Sequence, residues 1–259
     1  MKKLLLFSLL LLFTINSSAD AAIFQGNVSK VDEIGKHRIV DADTNVPIDG
    51  ATVTVPQKNY ETQTDSNGTF NLDANIRGNT ILSVQKEGYK PFSLTVNEQI
   101  ATRPMTVGIE KSSPMDLAVE TSMFHLGDNN YSELSANAGQ FRVKPIGPFY
   151  TKKFVINKAS DKTFLVIGSI IGIDTKMAQM MGQNKISVAY ACPPEVFFNG
   201  VKIAEIQLNG DGQKMKIPKN LIRLNQQNEI TIKTGRNMLQ TDYIDYDDIE
   251  FMNLSIEVN

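Results

Sequence analysis

Short runs of alternating apolar and polar residues, separated by turn residues, cover most of the chain. Ala51, Val53 and Val55 alternate with threonines, which places their side chains on one face of a strand. Residues 64–68 (Thr-Asp-Ser-Asn-Gly) then predict a turn, because Asp and Asn bond their own backbone and Gly tolerates positive φ. Alternation resumes at Phe70. A period of two predicts half-buried β-strands.

Residues 35–111 show no convincing helical periodicity. Turn signals recur between the apolar runs, at the spacing that is typical of an antiparallel sandwich of about seven strands. Small and polar residues at 111–114 (Lys-Ser-Ser-Pro) predict a linker to a second region. The strands predicted before this linker are 36–42, 51–55, 68–73, 80–86, 92–96 and 105–109.

Residues 115–259 predict a second β-rich region of about nine or ten strands. Asn199-Gly200 stands between two apolar runs and is a strong hairpin signal. Residues 176–181 contain three methionines and predict one helical turn, whose methionines we expect to fill gaps in the core. The strands predicted here are 117–122, 140–143, 153–156, 163–173, 186–190, 196–198, 201–203, 215–218, 229–233 and 249–258.

Three motifs in the first half carry a resemblance to a known family. They are V-D-A-D-T-N-V-P-I-D-G-A-T-V-T-V from Val40, T-x-T-D-x-N-G-x-F-x-L from Thr62, and V-x-K-x-G-Y-x-P from Val84. Residues 35–111 thereby resemble the carboxypeptidase regulatory-like family, which implies a transthyretin-like β-sandwich. Such domains are accessory modules without catalytic residues. The Tyr-Arg-Gly-Ser motif of the fold's hydrolase relatives does not occur in the chain.

The second half resembles a galactose-binding-like jelly roll, the architecture of many carbohydrate-binding modules. The resemblance rests on the loop H-L-G-D-x-N-Y at 125–131, the hairpin V-F-F-N-G-V-K-I at 196–203, and an acidic segment followed by an alternating strand at 245–256. The predicted fold is therefore all-β, a transthyretin-like seven-stranded β-sandwich at 35–111 followed by a jelly-roll β-sandwich at 115–259. The second resemblance implies a glycan ligand.

The first residues predict export. Two lysines precede an apolar stretch at 4–15, and a small-x-small site ends at Ala21, so residues 1–21 read as a signal peptide and 22–34 as a leader. The stretch is too short for a membrane span, and we expect a secreted, periplasmic or cell-surface protein without a span in the mature chain. Removing Lys2, Lys3 and Asp20 from 26 basic and 28 acidic side chains leaves 24 against 27. This near-balance argues against nucleic acid as a partner.

Acidic residues are dense just before and within the last predicted strand. Carboxylates this close repel one another unless a cation or water screens them, and Ca²⁺ takes oxygen ligands from flexible loops. The jelly-roll resemblance implies a structural calcium between the first and last strands, with Glu120 or Asp116 opposite Asp248 or Glu250. The alternative is a solvated acidic loop that protects an edge strand. The acidic residues are Asp242, Asp245, Asp247, Asp248 and Glu250, and the predicted metal ligands are Glu120, Asp247, Asp248 and Glu250.

The loop at 125–131 supplies the residue types that bind sugars. Planar amides and carboxylates match hydroxyl pairs, and an aromatic ring packs on the apolar sugar face. The alternative is an ordinary polar loop. Because the chain has no Trp, tyrosines 131, 150, 243 and 246 are the candidate platforms. The predicted ligand-binding residues are His125, Asp128, Asn129, Asn130 and Tyr131.

These features predict an exported, non-catalytic binding module whose ligand is surface or extracellular glycan. Convergence of the acidic segment and the His125 loop at one end of the jelly roll, beside an exposed tyrosine, would favour binding, and their separation would disfavour it. The first alternative is a structural, assembly or adhesion component that binds another envelope protein. The second is a glycan-active hydrolase, which the absence of a nucleophile elbow or an HExxH motif disfavours.

Overall fold

Two β-sandwiches follow one another along the chain. A computed structural model describes residues 36–131, 134, 141–186, 191–234 and 247–259. The predicted all-β fold is confirmed, because the sheets are built from the strands below and the α-helices within these residues are two short segments, α1 (Glu98–Ala101) and α2 (Lys176–Met180). None of the helices in the described residues is long and apolar enough to cross a membrane.

The first sandwich has seven strands in two sheets, as predicted. A three-stranded sheet has the order β4-β1-β7 and a four-stranded sheet the order β3-β2-β5-β6. The pairing is antiparallel except between β1 and β7, which run parallel, so the expectation of a purely antiparallel sandwich was wrong at this edge. The strands are β1 (His37–Asp41), β2 (Thr52–Val55), β3 (Tyr60–Gln63), β4 (Thr69–Phe70), β5 (Thr80–Gln85), β6 (Phe92–Val96) and β7 (Thr106–Ile109).

The apolar alternation seen in the sequence forms the core of this sandwich. Val53, Val55 and Leu82 are fully buried in one cluster, which also contains Phe70 of the motif turn. Gly68 ends that turn at φ 71°, and a Cβ there would overlap the carbonyl oxygen of Ile39. Only glycine combines this backbone angle with so close an approach. The motif therefore marks a steric requirement of the fold.

The second sandwich has two four-stranded sheets with the orders β13-β10-β15-β8 and β12-β11-β14-β9. If its eight strands are numbered from one, the sheets read 6-3-8-1 and 5-4-7-2, which is the strand order of a jelly roll. The strands are β8 (Leu117–Leu126), β9 (Phe149–Val155), β10 (Thr163–Ile171), β11 (Glu195–Phe198), β12 (Val201–Glu205), β13 (Gly210–Lys216), β14 (Gln227–Lys233) and β15 (Ile249–Val258).

Two of the predicted strands do not appear among these eight. Residues 141–143 are irregular, although Phe141 is buried in a hydrophobic cluster that includes Met252, which explains the apolar pattern there. Residues 187–190 lie outside the described part of the chain. The Asn199-Gly200 hairpin is present, with β11 and β12 paired antiparallel on either side of it.

The sheet β3-β2-β5-β6 of the first sandwich packs on the sheet β13-β10-β15-β8 of the second, and residues 34–259 form one unit. Part of the contact is apolar, since Ile81 belongs to the same cluster as Met252. Part is polar, since the Asn253 side-chain amide donates to the Ser83 hydroxyl at 3.1 Å. A Cβ on Gly168 of β10 would lie 2.5 Å from the Ser93 hydroxyl oxygen, so the two sheets approach each other closely there.

Candidate functional site

Three strand ends of the jelly roll meet at one edge of its sheet. The end of β8 pairs with the start of β15, where His125 lies opposite Glu250. The end of β10 reaches the same place, because Ile171 also pairs with Glu250. The loop after β8 and residues 247–248, the described end of the acidic segment, therefore lie together. This convergence favours the binding interpretation. The expected exposed tyrosine is not seen in the described residues, because Tyr131 is only partly exposed and Tyr150 is buried.

His125 and Asp248 form a fully buried pair at this edge. The His125 Nε2 atom lies 2.6 Å from Asp248 Oδ1, and its Nδ1 atom lies 2.8 Å from the carbonyl oxygen of Val143. Because a carbonyl oxygen only accepts, Nδ1 carries a hydrogen, and a second proton must lie between Nε2 and the carboxylate. Burial lowers the pKa of His125, but the bonds to Asp248 and Val143 outweigh it, so the pKa is raised overall. The raised pKa of His125 favours an imidazolium–carboxylate contact.

Asp248 also anchors the loop that follows β8. Its Oδ1 atom accepts a hydrogen bond from the backbone N–H of Asn129 at 2.7 Å. Gly127 adopts φ 126°, and a Cβ at this position would lie 2.6 Å from the Asp248 carboxyl group. Glycine is required there because the loop backbone passes directly over the carboxylate. The glycine of the H-L-G-D motif is therefore required by the close approach of the loop to Asp248.

A group of three carboxylates lies at the same place. Asp128, Asp247 and Asp248 each offer an oxygen, and these oxygens lie within 4.8 Å of one another. Asp128 is exposed, while the other two are buried. The Oδ2 atom of Asp248 is buried and has no hydrogen-bond partner among the described residues. Oxygen ligands in this arrangement suit a hard cation such as Ca²⁺.

The predicted ligand-binding residues separate into an exposed and a buried set. Asp128, Asn129 and Asn130 are exposed on the loop, and the Asn130 N–H donates to Asp128 Oδ1 at 2.8 Å. Tyr131 is partly buried, with its ring edge-on to Phe141 at 4.8 Å. His125 is 0% exposed. It therefore supports the loop from beneath, where a ligand does not reach it.

Glu250, predicted as a metal ligand, is buried beside the carboxylate group but does not belong to it. Its Oε1 atom accepts from the backbone N–H groups of Arg142 and Val143, each at 3.3 Å, and its Oε2 atom accepts from the Gln57 amide. Burial raises the pKa of Glu250 to about 7, against the opposing effect of these bonds and of His125. Gln57 comes from the first sandwich, so both sandwiches contribute to this edge.

The structure does not bring Glu120 or Asp116 to the carboxylate group. Glu120 pairs with Leu254, four residues along β15 from Glu250, which corresponds to about 13 Å. Its carboxylate accepts from the Tyr150 hydroxyl at 3.1 Å and the Lys152 ammonium at 3.0 Å. Asp116 accepts from the backbone N–H of Val258, at the far end of β15. Asp242, Asp245, Tyr243 and Tyr246 lie outside the described residues.

An apolar surface on α2 was not expected. Met177, Met180 and Met181 are 44%, 70% and 64% exposed, so the expectation that they fill the core was wrong. The helix is held by the Thr175 hydroxyl, which accepts from the Ala178 N–H at 3.1 Å, and by the buried Ala178 side chain.

This helix follows closely on the site edge. A Cβ on Gly172 would lie 2.5 Å from the Asp248 carbonyl oxygen, and α2 begins four residues later. The spacing of the three methionines, at i, i+3 and i+4, places them on one face of the helix, but such an apolar face usually packs on a core, so nothing in the sequence indicated their exposure. We call residues 127–131, α2 and residues 247–248 the loop end of the jelly roll.

Fold and site together define an all-β protein of two sandwiches, in which a jelly roll carries the candidate site and the first sandwich supports it. Residues 37–117 match the CarboxypepD_reg-like domain, which confirms the resemblance of the first half. One similar solved structure is a protein of Bacteroides uniformis described as a candidate carbohydrate-binding protein. It is 8% identical, with a TM-score of 0.22, and the match covers 86% of this chain and 97% of that one. No match to this chain was found among curated proteins.

Proposed function

We propose that this protein is an exported, non-catalytic binding module that recognises surface or extracellular glycan through the loop end of the jelly roll. The observation that carries the proposal is the junction of the 127–130 loop with the start of β15 over the buried His125–Asp248 pair. Because this buried pair holds the loop in one conformation, the exposed binding groups lose less conformational entropy when a ligand binds.

The exposed groups of the loop end match the chemistry of sugars. Asp128, Asn129 and Asn130 present a carboxylate and two amides, which pair with hydroxyl groups. The exposed methionines of α2 offer apolar surface at the same end, where a sugar ring can place its C–H face. Tyr131 contributes only part of its ring, since Phe141 covers the rest.

A calcium ion at Asp128, Asp247 and Asp248 is part of this proposal. The donor set fits the ion, because the three oxygens lie within 4.8 Å of one another and the buried Asp248 Oδ2 atom lacks a partner among the described residues. Its role would be structural: it would neutralise neighbouring carboxylates and hold the loop against β15. The ligand set thus differs from the one that the sequence suggested, with Asp128 in place of Glu120 and Glu250.

A glycan array probed with the mature chain, followed by titration calorimetry on the glycans that bind, tests the function. Asn130→Ala should weaken binding at least about tenfold, because an exposed amide that pairs with a hydroxyl is lost. Asn71→Ala, an exposed asparagine of the first sandwich, is the matched control and should bind as the wild type does. A blank array, or equal affinities for both variants, would contradict the proposal.

The methionine surface also favours a second candidate, the binding of another envelope protein in assembly or adhesion. Exposed methionines adapt to varied apolar partners. Pull-down from envelope extracts with the wild type and with a Met177→Ser, Met180→Ser, Met181→Ser variant separates the two. Capture of one defined partner that the triple variant loses, together with blank glycan arrays, would favour assembly over glycan binding.

A further inference from the structure

An open cleft lies where the two sandwiches meet, apart from the loop end. Its volume is about 480 Å³. Thr121 of β8 forms one side, four residues and about 13 Å before His125 along the strand. The start of β2 and the turn between β5 and β6 form the other side. We call this the seam cleft, and its principal lining residues are Gly50, Thr52, Gln85, Lys86, Tyr89 and Thr121.

Lys86 brings a positive charge to the seam cleft that the described part of the protein does not neutralise. The side chain is half-buried, and its ammonium donates only to the carbonyl oxygen of Gly50, at 3.5 Å. Among the described residues it forms no ion pair, whereas the neighbouring Lys90 lies 2.9 Å from the Glu110 carboxylate. An ammonium in an open cleft that forms no ion pair among the described residues can pair with an anionic ligand.

Gly50 permits this placement of the ammonium. A Cβ on Gly50 would lie 3.3 Å from the Lys86 Nζ atom, and the residue adopts φ 60°. The turn that begins β2 therefore leaves room above its own backbone for the charged group. The motif glycine at this position serves both the turn and the cleft.

The remaining groups of the seam cleft are those that bind hydroxyl-rich molecules. Thr52 and Thr121 line it, and Gln85 spans it, with its amide 3.5 Å from the Thr121 carbonyl oxygen. Tyr89 and Pro91 add ring surface. The Tyr89 hydroxyl donates to the Asp41 carboxylate at 3.0 Å, which fixes the ring in place. Fixed rings and neutral polar groups surround the Lys86 ammonium, and the exposed Glu87 carboxylate lies at the rim. A sugar that carries an acid group fits this lining with its carboxylate at Lys86.

We propose that the seam cleft binds an acidic saccharide, with a sugar carboxylate at the Lys86 ammonium and the sugar ring against Tyr89 and Pro91. This site shares a ligand class with the function proposed above but uses none of the loop-end residues. Either proposal can therefore fail while the other stands.

Titration calorimetry with trigalacturonate and with its methyl ester tests the site. The ester has the same rings and hydroxyl groups but no charge, so the acid should bind at least about tenfold more tightly. Lys86→Gln should lower the affinity for the acid to that for the ester. Lys153→Gln, a lysine on β9 that pairs with Glu229, is the matched control and should leave both affinities unchanged.

Two further variants assign the binding to this cleft. Glu87→Gln removes an exposed negative charge from the rim and should raise the affinity for the acid. Asn130→Ala, at the loop end, should leave it unchanged. No binding of trigalacturonate at millimolar concentration, equal affinity for the ester, or an unchanged affinity in Lys86→Gln would overturn the inference. Loss of binding in Asn130→Ala alone would also overturn it, by placing the acid at the loop end. A normal melting temperature for each variant shows that folding is intact.

Discussion

Gly168 lies at a close contact in the junction of the two sandwiches. It lies in β10, is buried, and has an ordinary strand conformation, so alanine causes no backbone strain there. A Cβ would lie 2.5 Å from Ser93 Oγ and 2.7 Å from Asn253 Cβ. These distances are well below van der Waals contact, which begins at about 3.5 Å for carbon atoms. Gly168→Ala therefore pushes the first sandwich away from the second or distorts β10.

The packing at this position sets the expected loss in the free energy of unfolding for Gly168→Ala. One extra methyl group in a well-packed interior costs about 1–3 kcal/mol when neighbours must move. Here the methyl group meets Ser93 and Asn253 from both sides, so we expect the upper half of that range. The Ser93 hydroxyl oxygen is buried without a hydrogen-bond partner among the described residues. Ser93→Ala alone should therefore be neutral or slightly stabilising, because it removes an unpaired polar atom.

Urea unfolding of four proteins measures the effect: wild type, Gly168→Ala, Ser93→Ala and the double variant. The double variant should recover about half of the loss, since one of the two close contacts is relieved, and this coupling identifies the junction as the cause. Gly108→Ala is the matched control, because that strand glycine has its nearest neighbour, Ala42, at 3.3 Å and is exposed. A change of less than about 0.5 kcal/mol in Gly168→Ala would refute the reasoning.

Three further predictions concern the jelly roll. Compared with protein in excess calcium, protein in EDTA should melt about 5–10 °C lower in the wild type and in the control Asp43→Asn, but at the same temperature in Asp128→Asn. Equal responses in all three proteins would contradict the calcium site. Burial tends to raise the pKa of Glu120, but hydrogen bonds and a lysine lower it to about 2 from an ordinary 4.5. The Glu120 carboxylate contributes fully to the free energy of unfolding above pH 4.5, and this contribution is lost as the pH falls towards 2. Glu120→Gln should therefore reduce the loss of stability between pH 4.5 and pH 2 by at most about 3 kcal/mol. An unchanged loss of stability over this pH range would count against the prediction. His125→Asn leaves Asp248 buried without its cation and should cost about 3–5 kcal/mol in urea unfolding; a loss below about 1 kcal/mol would mean that the pair is not ionic.

Local patterns in the sequence predicted most of the fold. Period-two alternation located the core strands, and turn glycines such as Gly68 marked positions where a Cβ would overlap the backbone. The pattern failed where a residue is buried outside a strand, and where a strand has few buried apolar residues. Phe141 is buried without belonging to a strand, and Tyr60–Gln63 forms an edge strand with too few apolar residues to signal one.

The candidate site was predicted by residue type but not by arrangement. Asp248 and the loop beside it could be named because acids and amides were dense in two segments. Their partners could not, because cross-strand register decides them: Glu250 faces His125, while Glu120 is displaced four residues along the same sheet. A one-residue change in register would have turned every side chain of β15 to the opposite face of the sheet, so the pairing cannot be deduced from residue type alone. The cluster with Asp128 likewise depends on a loop glycine that brings the backbone over a carboxylate.

The first sandwich is part of the site's support and not simply a neighbour. The Gln57 amide donates to Glu250, and the Thr80 hydroxyl donates to the Gln57 carbonyl oxygen, so a hydrogen-bonded chain runs from β5 to the strand end beneath the loop. Glu250 is buried with a pKa of about 7, and a carboxyl group in that position depends on every donor that reaches it. If the sandwiches separate, Glu250 loses its link to the first sandwich and gains access to water. The position of the 127–130 loop is therefore coupled to the packing at Gly168, and Gly168→Ala should weaken ligand binding at the loop end as well as stability.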